Sequence, residues 1–440
     1  MQSAGRSYGR WYILGLICLM YLITYLDRSI MANAAPEIQQ EFGIDNITKG
    51  VILSFFFWGY SLFQVPGGWL SERFGPRAIL AILVAFWSVM TAAVGLAGST
   101  ASFMVLLFLL GAGEAGAFPG ATRAMQVWYP RRERGFCQGF THSASRFGAA
   151  IAPPIIGLII AALDWRWAFY LCGAVGLAWS AAWFLSYRNL PEEHARVNAA
   201  ELEHIRGVDE TGRLNPAVRP SRATVPWSTL LQSPNMWAIM CAYVTYVYSL
   251  TIFLTWLPSY LKDGRHFSSN DARWWSSPIL FAMVIGNTVG GLATDWLLHK
   301  TGNTRFARRS VAIVGLLGCT IFVVVAAFVE DSYTSVYALA AAAFFLECSI
   351  GPAWSVPMDT AGKYSGTVSG MMNMAGQLCG ATLSPVVFGY FAQNANYQAP
   401  WIVAAVLLLI GCLIWGFWLD PDRSVVEKEE VEAAVPAAAE

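Results

Sequence analysis

Charge is scarce in this chain. Lysine, arginine, aspartate and glutamate make up 13% of its 440 residues, against about a quarter in ordinary soluble chains. The 28 basic and 28 acidic residues cancel, so no global field points to nucleic acid as a partner. Histidine is equally sparse, and its five copies form no ligand cluster. The eight cysteines (18, 137, 172, 241, 319, 348, 379 and 412) are scattered singly, without C-x-x-C or zinc spacing. They read as small hydrophobes rather than as a metal site or disulfide framework. A nucleophile–base pair and a phosphate-cradling Gly-x-x-x-x-Gly-Lys-Ser/Thr loop are both missing, which argues against an enzyme and against any cofactor. A sensor would be expected to carry an appended soluble domain, and only a polar linker and a short tail interrupt the apolar pattern.

What fills the chain is hydrocarbon: 56% of residues are hydrophobic. A membrane-crossing helix needs about 20 apolar residues to span roughly 30 Å. Twelve such segments are expected, at 11–35, 48–71, 78–98, 102–125, 136–162, 167–187, 235–261, 273–298, 309–329, 333–357, 364–392 and 399–419. No cleavable signal peptide is expected, because the first stretch is too long and lacks an Ala-x-Ala-like site. Arg6, Arg10, Arg73, Arg77, Arg131, Arg132, Arg134, the six arginines of 188–222, Lys300, Arg305, Arg308, Arg309 and Lys363 fall on one side. Lys49, Arg166, Lys262, Arg265 and Arg273 fall on the other. Cationic loops stay inside, so both termini are expected in the cytoplasm of a bacterial inner-membrane protein. The expected organisation is an N-terminal six-helix bundle over 1–187, a cytoplasmic linker over 188–233 with a short amphipathic helix near 195–206, a C-terminal six-helix bundle over 234–420, and a disordered acidic, Ala-rich tail over 421–440.

Against that background the charges inside apolar segments stand out. Asp27 and Arg28 are adjacent within the first segment, and Glu114 lies within the fourth. An ionised side chain at mid-bilayer costs at least roughly 2.5–3.5 kcal/mol, so such residues usually line a polar cavity. A helix-end pair snorkelling to the interface is the alternative, but Arg28 is followed by further apolar residues. Arg146 in the fifth segment, with His142 one turn before it, is either a substrate cation or a structural partner for an acid. Glu347 in the tenth is either functional or that partner across the two halves. Tyr60 and Gln64 share a helical face, with a phenol and an amide suited to hydroxyls. So do Asn373, Gln377, Gly380 and Ser384. Tyr243, Tyr246, Phe253 and Trp256 on the seventh segment offer rings for a sugar's apolar face. For each of these groups interhelical packing is the competing explanation. Arg123, Arg131, Arg132 and Arg134 read as markers of cytoplasmic helix ends.

The halves also echo one another. Gly68-x-x-x-Glu72-Arg73-x-Gly75-x-Arg77 follows the second segment, and Gly291-x-x-x-Asp295 with Gly302 and Arg305 follows its counterpart. Parallel six-helix repeats are a standard transporter architecture. The first of these loops resembles the cytoplasmic loop motif of the major facilitator superfamily, with Glu72 for the usual Asp. YLDR (Tyr25–Arg28), YSLFQVPGG (Tyr60–Gly68), GAGEAGAFPGATRA (Gly111–Ala124), WYPRRERG (Trp128–Gly135), FLTWLPSYL (Phe253–Leu261), GPAW (Gly351–Trp354) and SGMMN (Ser369–Asn373) resemble the anion:cation symporter family within it. That family includes bacterial proton symporters for hexuronates, glucarate and galactonate, and the vesicular glutamate transporters.

The resemblance implies an all-α membrane protein of twelve transmembrane helices in two pseudo-symmetric halves. It places Asp27 and Glu114 at proton-coupling positions, Arg28 at a carboxylate or counter-charge position, and Tyr25, Tyr60, Trp354 and Asn373 along the substrate site. An arginine common in the family seven residues before the fourth-helix acid is Leu107 here, which removes a cation from beside Glu114. The function expected is proton-coupled import of a monoanionic sugar acid, a hexuronate or aldonate, by alternating access. Other organic anions (a glucarate-type dianion or a small carboxylate) and an exporter or uniporter remain as alternatives. Expected substrate-binding residues are Arg28, Tyr25, Tyr60, Gln64, Arg146, Tyr246, Trp354, Asn373 and Gln377. The expected partners are the organic anion, the proton and membrane lipid, for a chain acting as a monomer. The physics agrees in form: an anion arriving at Arg28 and a proton arriving at Asp27 or Glu114 favour each other, and linkage makes that reciprocal.

Overall fold

A computed structural model describes residues 7–44, 46–208, 213–216, 219 and 224–426. Among these the fold is helical, the only β feature being an isolated bridge between Val208 and Leu214. The elements are α1 (Gly9–Phe42), α2 (Asn46–Leu62), α3 (Gln64–Phe74), α4 (Pro76–Val94), α5 (Thr100–Glu114), α6 (Ala117–Trp128), α7 (Arg134–Ala162), α8 (Trp165–Ser186), α9 (Ala199–Arg206), α10 (Trp227–Gln232), α11 (Pro234–Thr255), α12 (Leu257–Ser259), α13 (Ser269–Thr301), α14 (Thr304–Phe328), α15 (Ser332–Cys348), α16 (Ile350–Thr360), α17 (Ser365–Ala375), α18 (Thr382–Gln393) and α19 (Ala399–Leu413). Among the described residues ten helical spans are long and apolar enough to cross a membrane, or eleven if the pair α2–α3, bent by 41°, is one span. The expected segment 364–392 is also helical, but a π-helical turn at Gly376–Ala381 divides it into α17 and α18.

Several boundaries differ from the sequence expectation. Helix α1 runs past residue 35 to Phe42 and stops where Gly43 takes a left-handed conformation (φ 63°), its N–H bonding to Gln39 O. Hydropathy fades before the helix does, because polar residues extend it beyond the apolar stretch. The bend at Phe63 separates Tyr60 on α2 from Gln64 on α3, so these two do not share one straight helical face. The π turn likewise shifts the register between Asn373 and Ser384, and Gly380 packs on the backbone of Val244 and Tyr248 instead of continuing a stripe. The linker helix occupies Ala199–Arg206. Of the tail, residues 421–426 are described: Val425 and Val426 are buried, and Val425 N–H donates to Thr360 O. Residues 427–440 lie outside the described residues.

The chain forms two compact units, one of Met1–Pro130 with Ala144–Ser221 and one of Arg131–Ser143 with Arg222–Glu440. In the first, α2 and α5 touch at their backbones: a Cβ on Gly59 would overlap Phe108 O, and one on Gly111 would overlap Phe56 O. Small residues at such crossings replace the hydrophobic drive that lipid does not supply. Helix α8 is tied to its neighbours through polar atoms. Trp179 Nε1 donates to Leu16 O at 2.8 Å, Ser180 Oγ to Ala81 O at 2.7 Å and Trp183 Nε1 to Pro76 O at 3.2 Å. Trp179, Trp183 and Tyr187 stack in series along it.

In the second unit, Asp295 from the Gly291-x-x-x-Asp295 motif caps the start of α7, accepting from the N–H groups of Gly135 (3.1 Å) and Phe136 (2.6 Å). Arg308 binds Asp295 at 2.8 Å and Asp359 at 3.2 Å, and Arg134 reaches Asp359 at 3.0 Å. Arg134 and Arg131, expected as end markers, are thus members of an ion-pair network. At the opposite end of α14, Arg265 donates to Val329 O at 2.6 Å and also to Ala326 O, satisfying carbonyls that the helix end leaves without partners.

The linker helix is held to the first unit by one acid. Glu201 on α9 is buried and accepts from the N–H groups of Gly9 (3.0 Å) and Arg10 (3.1 Å), and from Arg10 Nη1 (3.0 Å), so it caps the positive end of α1. Burial pushes its carboxyl pKa up, but the hydrogen bonds from Ser7, Arg10 and Gly9 outweigh that and hold it below the ordinary value of 4.5. A carboxyl with a depressed pKa stabilises the fold above its unfolded value and loses that contribution as pH falls through the folded one. Amide hydrogen exchange at the start of α1 is therefore expected to accelerate as pH drops below 4.5, after correction for intrinsic rates. Glu201→Gln should show the faster exchange already at neutral pH, and equal protection in both proteins would count against the cap.

Candidate functional site

The first unit gathers its intramembrane charge around Arg28. Its Nε donates to Glu114 Oε2 at 2.7 Å, with Glu114 fully buried and the Arg28 side chain 18% exposed. The guanidinium carbon lies 4.2 Å from the centroid of Tyr60, 5.2 Å from Tyr25, 5.3 Å from Phe56 and 5.9 Å from Phe118. A desolvated cation over aromatic faces gains about 2 kcal/mol or more per favourable ring. Phe56 and Tyr60 stack on one another, one helical turn apart. The close approach of α2 and α5 at Gly59 and Gly111 brings those rings beside Glu114, the last residue of α5.

Arg146, on the part of α7 that belongs to this unit, joins the same group. Its Nη1 donates to the Tyr25 hydroxyl at 2.9 Å, and its guanidinium lies 5.6 Å from the Tyr25 ring. Two cations therefore meet on one phenol. The position vacated by arginine at Leu107 is buried and apolar, and Arg146 supplies a second guanidinium from another helix.

Asp27 stays outside the ion pair. Neighbours on an α-helix point about 100° apart, so the pairing with Arg28 implied by adjacency is not made: Arg28 takes Glu114. Asp27 is 2% exposed, and among the described residues neither carboxylate oxygen has a hydrogen-bond partner. It interacts electrostatically with Glu114 and Arg28 without joining their ion pair, and Trp87 of α4 and Cys172 of α8 lie beside it. Gln64, beyond the bend, is buried in α3.

The second unit has its own polar centre. Tyr246 on α11 donates to Glu347 Oε2 at 2.8 Å, and Glu347 is fully buried. Tyr243, one turn away, stacks on Tyr246 with centroids 5.4 Å apart, and its hydroxyl accepts from Trp354 Nε1 at 3.1 Å. His142 packs on Trp354 at 5.1 Å. Asn373 is buried on α17, while Gln377 lies in the π turn and is half-buried. Phe56 and Phe118 were not singled out as binding residues from the sequence, whereas Tyr243 was offered there among the rings of its helix. Phe56 is detectable in hindsight as the residue one turn before Tyr60. Among the described residues no group of three or more His, Cys, Asp or Glu is placed to hold a metal.

Comparison with known proteins settles the family. The Major Facilitator Superfamily model matches residues 17–382. The chain belongs to that superfamily. It is a multi-pass membrane transporter and not an enzyme. A probable sulfoacetate transporter of Cupriavidus necator is 41% identical over 422 residues, covering 96% of each chain. The D-galactonate transporter of Escherichia coli O6:H1 is 31% identical over 92% of this chain and 94% of its own. A probable galactarate/D-glucarate transporter of Bacillus subtilis is 29% identical over 96% and 94%. These relatives agree with the resemblance to the anion:cation symporter family. Among solved structures, the proton:xylose symporter XylE matches with a TM-score of 0.74 over 96% of this chain and 98% of its own, at 16% identity. The Escherichia coli fucose:proton symporter FucP matches with 0.69 over 93% and 99%, at 15% identity. Both share the fold.

Removing one member of a buried ion pair strands the other, typically at about 3–5 kcal/mol. Arg28→Ala is expected to lower the thermal unfolding temperature in detergent sharply. Adding Glu114→Gln to it should restore part of the loss, since the stranded charge is gone. Additive losses in the double variant would show that the two side chains do not depend on one another.

Proposed function

We propose that this protein is a proton-coupled importer of a small organic anion bearing two acidic groups, of the sulfoacetate type, working by alternating access. The observation that carries this is the convergence of Arg28 and Arg146 on Tyr25. Two carboxylates, or a carboxylate and a sulfonate, need two cations, because a charge left desolvated and unpaired costs several kcal/mol. The relative at 41% identity is a probable sulfoacetate transporter, which supports the same substrate class. Arg28 presents the planar fork that suits oxyanions. Glu114, bound to that fork, is the group an arriving anion displaces, and a proton on Glu114 makes the displacement easier. Asp27, buried and outside the Arg28–Glu114 ion pair, is the second proton-coupling acid on this proposal.

The D-galactonate transporter at 31% identity and the rings of Tyr25, Tyr60 and Phe56 favour a second reading, in which the substrate is a monoanionic hexuronate or aldonate. The distribution of lysine and arginine supports insertion in a bacterial inner membrane with both termini cytoplasmic. We take the working form to be a monomer with two six-helix bundles over 1–187 and 234–420, joined by the linker over 188–233.

Competition in proteoliposomes separates the two readings. Sulfoacetate and glucarate should displace labelled substrate more strongly than galactonate, gluconate or glucuronate. Arg146→Ala should weaken the two dianions by roughly tenfold or more and leave the monoanions within a few-fold. Stronger displacement by a hexuronate or aldonate sinks the dianion proposal and leaves the monoanion reading standing.

Proton coupling is tested at Glu114. Glu114→Gln should abolish accumulation driven by a pH gradient while substrate exchange persists. A variant that still concentrates substrate against its gradient removes Glu114 from the coupling role.

A further inference from the structure

Each unit buries one acid at the same station. Glu114 is the last residue of α5, immediately before the break at Ala115 and Gly116 that leads into α6. Glu347 lies one residue before the end of α15, ahead of the turn at Ser349 that leads into α16, where the Ser349 N–H turns back to the carbonyls of Leu346 and Glu347. Each acid is engaged from the first apolar helix of its own unit, Glu114 by Arg28 of α1 and Glu347 by Tyr246 of α11. A phenol stands where the other unit has a guanidinium.

The consequence lies in the rings. Tyr246 and Tyr243 are three residues apart on α11 and stack. Tyr246 is committed as a donor to Glu347, on the near side of the break. Tyr243 is committed as an acceptor to Trp354, on the far side. The two hydrogen bonds pin both pieces of the broken helix to one face of α11 and give neighbouring phenols opposite polarity. The void beside these tyrosines, also lined by Ser349 and Ala353, measures about 10 Å3, which is no more than one water needs. The rings therefore have little room to relax if one anchor is lost. Glu347 Oε2 gives the Tyr246 hydroxyl a directional acceptor at 2.8 Å.

We propose that Glu347 is a positioning residue for substrate recognition: it fixes the Tyr246 hydroxyl and, through ring stacking, sets the Tyr243–Trp354 wall that meets the non-acidic part of the anion. This rests on the organic-anion transport function proposed above.

Glu347→Gln, Glu347→Leu, Tyr246→Phe and the Tyr246→Phe/Glu347→Leu double variant test it, in proteoliposomes supplied with sulfoacetate, glucarate or galactonate. Glu347→Gln keeps an acceptor oxygen and should hold KM within about threefold, whereas Glu347→Leu and Tyr246→Phe should raise it roughly tenfold with the maximal rate little changed. The double variant should be no worse than Glu347→Leu alone. Should KM stay constant across the series while the unfolding temperature falls, Glu347 only holds the fold together and the proposal is wrong. Additive KM effects in the double variant overturn it as well. Failure of the wild-type protein to move any of the three anions overturns the transport reading itself, and with it the role of Glu347. Unchanged KM in the variants of a working transporter overturns only the latter.

Discussion

The Arg28–Glu114 ion pair is the constraint around which the first unit is arranged. Two opposite charges removed from water into an apolar interior each carry a desolvation penalty of several kcal/mol, and their attraction offsets it only when geometry is good. The geometry is supplied by sequence features that look unrelated on paper. Glycines at 59 and 111 let α2 and α5 meet at their backbones. That contact brings Phe56 and Tyr60 over the guanidinium, and the break after Glu114 ends α5 beside it. Larger residues at either glycine would separate the helices and leave the pair without its aromatic walls. The pair, the glycines and the rings therefore stand or fall together.

Much of this was legible from residue type and spacing. The apolar segments follow from hydropathy, because lipid leaves the backbone no alternative to helices that satisfy their own hydrogen bonds. Asp27, Arg28, Glu114 and Arg146 announced themselves as charges in hydrocarbon. What the sequence concealed is direction. Adjacency suggested that Asp27 and Arg28 act as one pair, yet neighbouring helical residues diverge, and Arg28 finds its partner eighty-six positions away. Leu107 suggested a single cation beside Glu114; Arg146 was visible as a buried charge, but nothing local to it showed that it reaches Tyr25 on another helix. Regular spacing also misled at Tyr60–Gln64 and along Asn373–Ser384, since a bend and a π turn break helical register without leaving an obvious mark in composition. Glu347 was visible as a buried acid, but its partner Tyr246 lies on another helix 101 positions away, and no pattern within either segment connects them.

The two units apply one plan with different chemistry. In each, a helix stops at a buried acid, the chain breaks, and the unit's first apolar helix supplies the acid's partner. On the proposed function a cationic partner makes the first centre responsive to anions. A phenolic partner makes the second a fixed scaffold for aromatic rings.

The Arg28–Glu114 pair bears on how an anion and a proton come to be linked on the proposed mechanism. Glu114 occupies Arg28 through one oxygen, so an incoming oxyanion and Glu114 compete for the same guanidinium. A protonated Glu114 is a weaker competitor, and a bound anion in turn favours the proton on Glu114. Linkage requires both effects to have the same size, with each tenfold change in affinity worth about 1.4 kcal/mol. The coupling is strong only if the competition is close, which demands that Arg28 be held in place while its partner changes. Tyr60, Tyr25, Phe56 and Phe118 provide that hold, because attraction to ring faces does not depend on which anion the guanidinium binds. On that mechanism the aromatic cradle lets one arginine exchange an internal carboxylate for an external one without leaving its position.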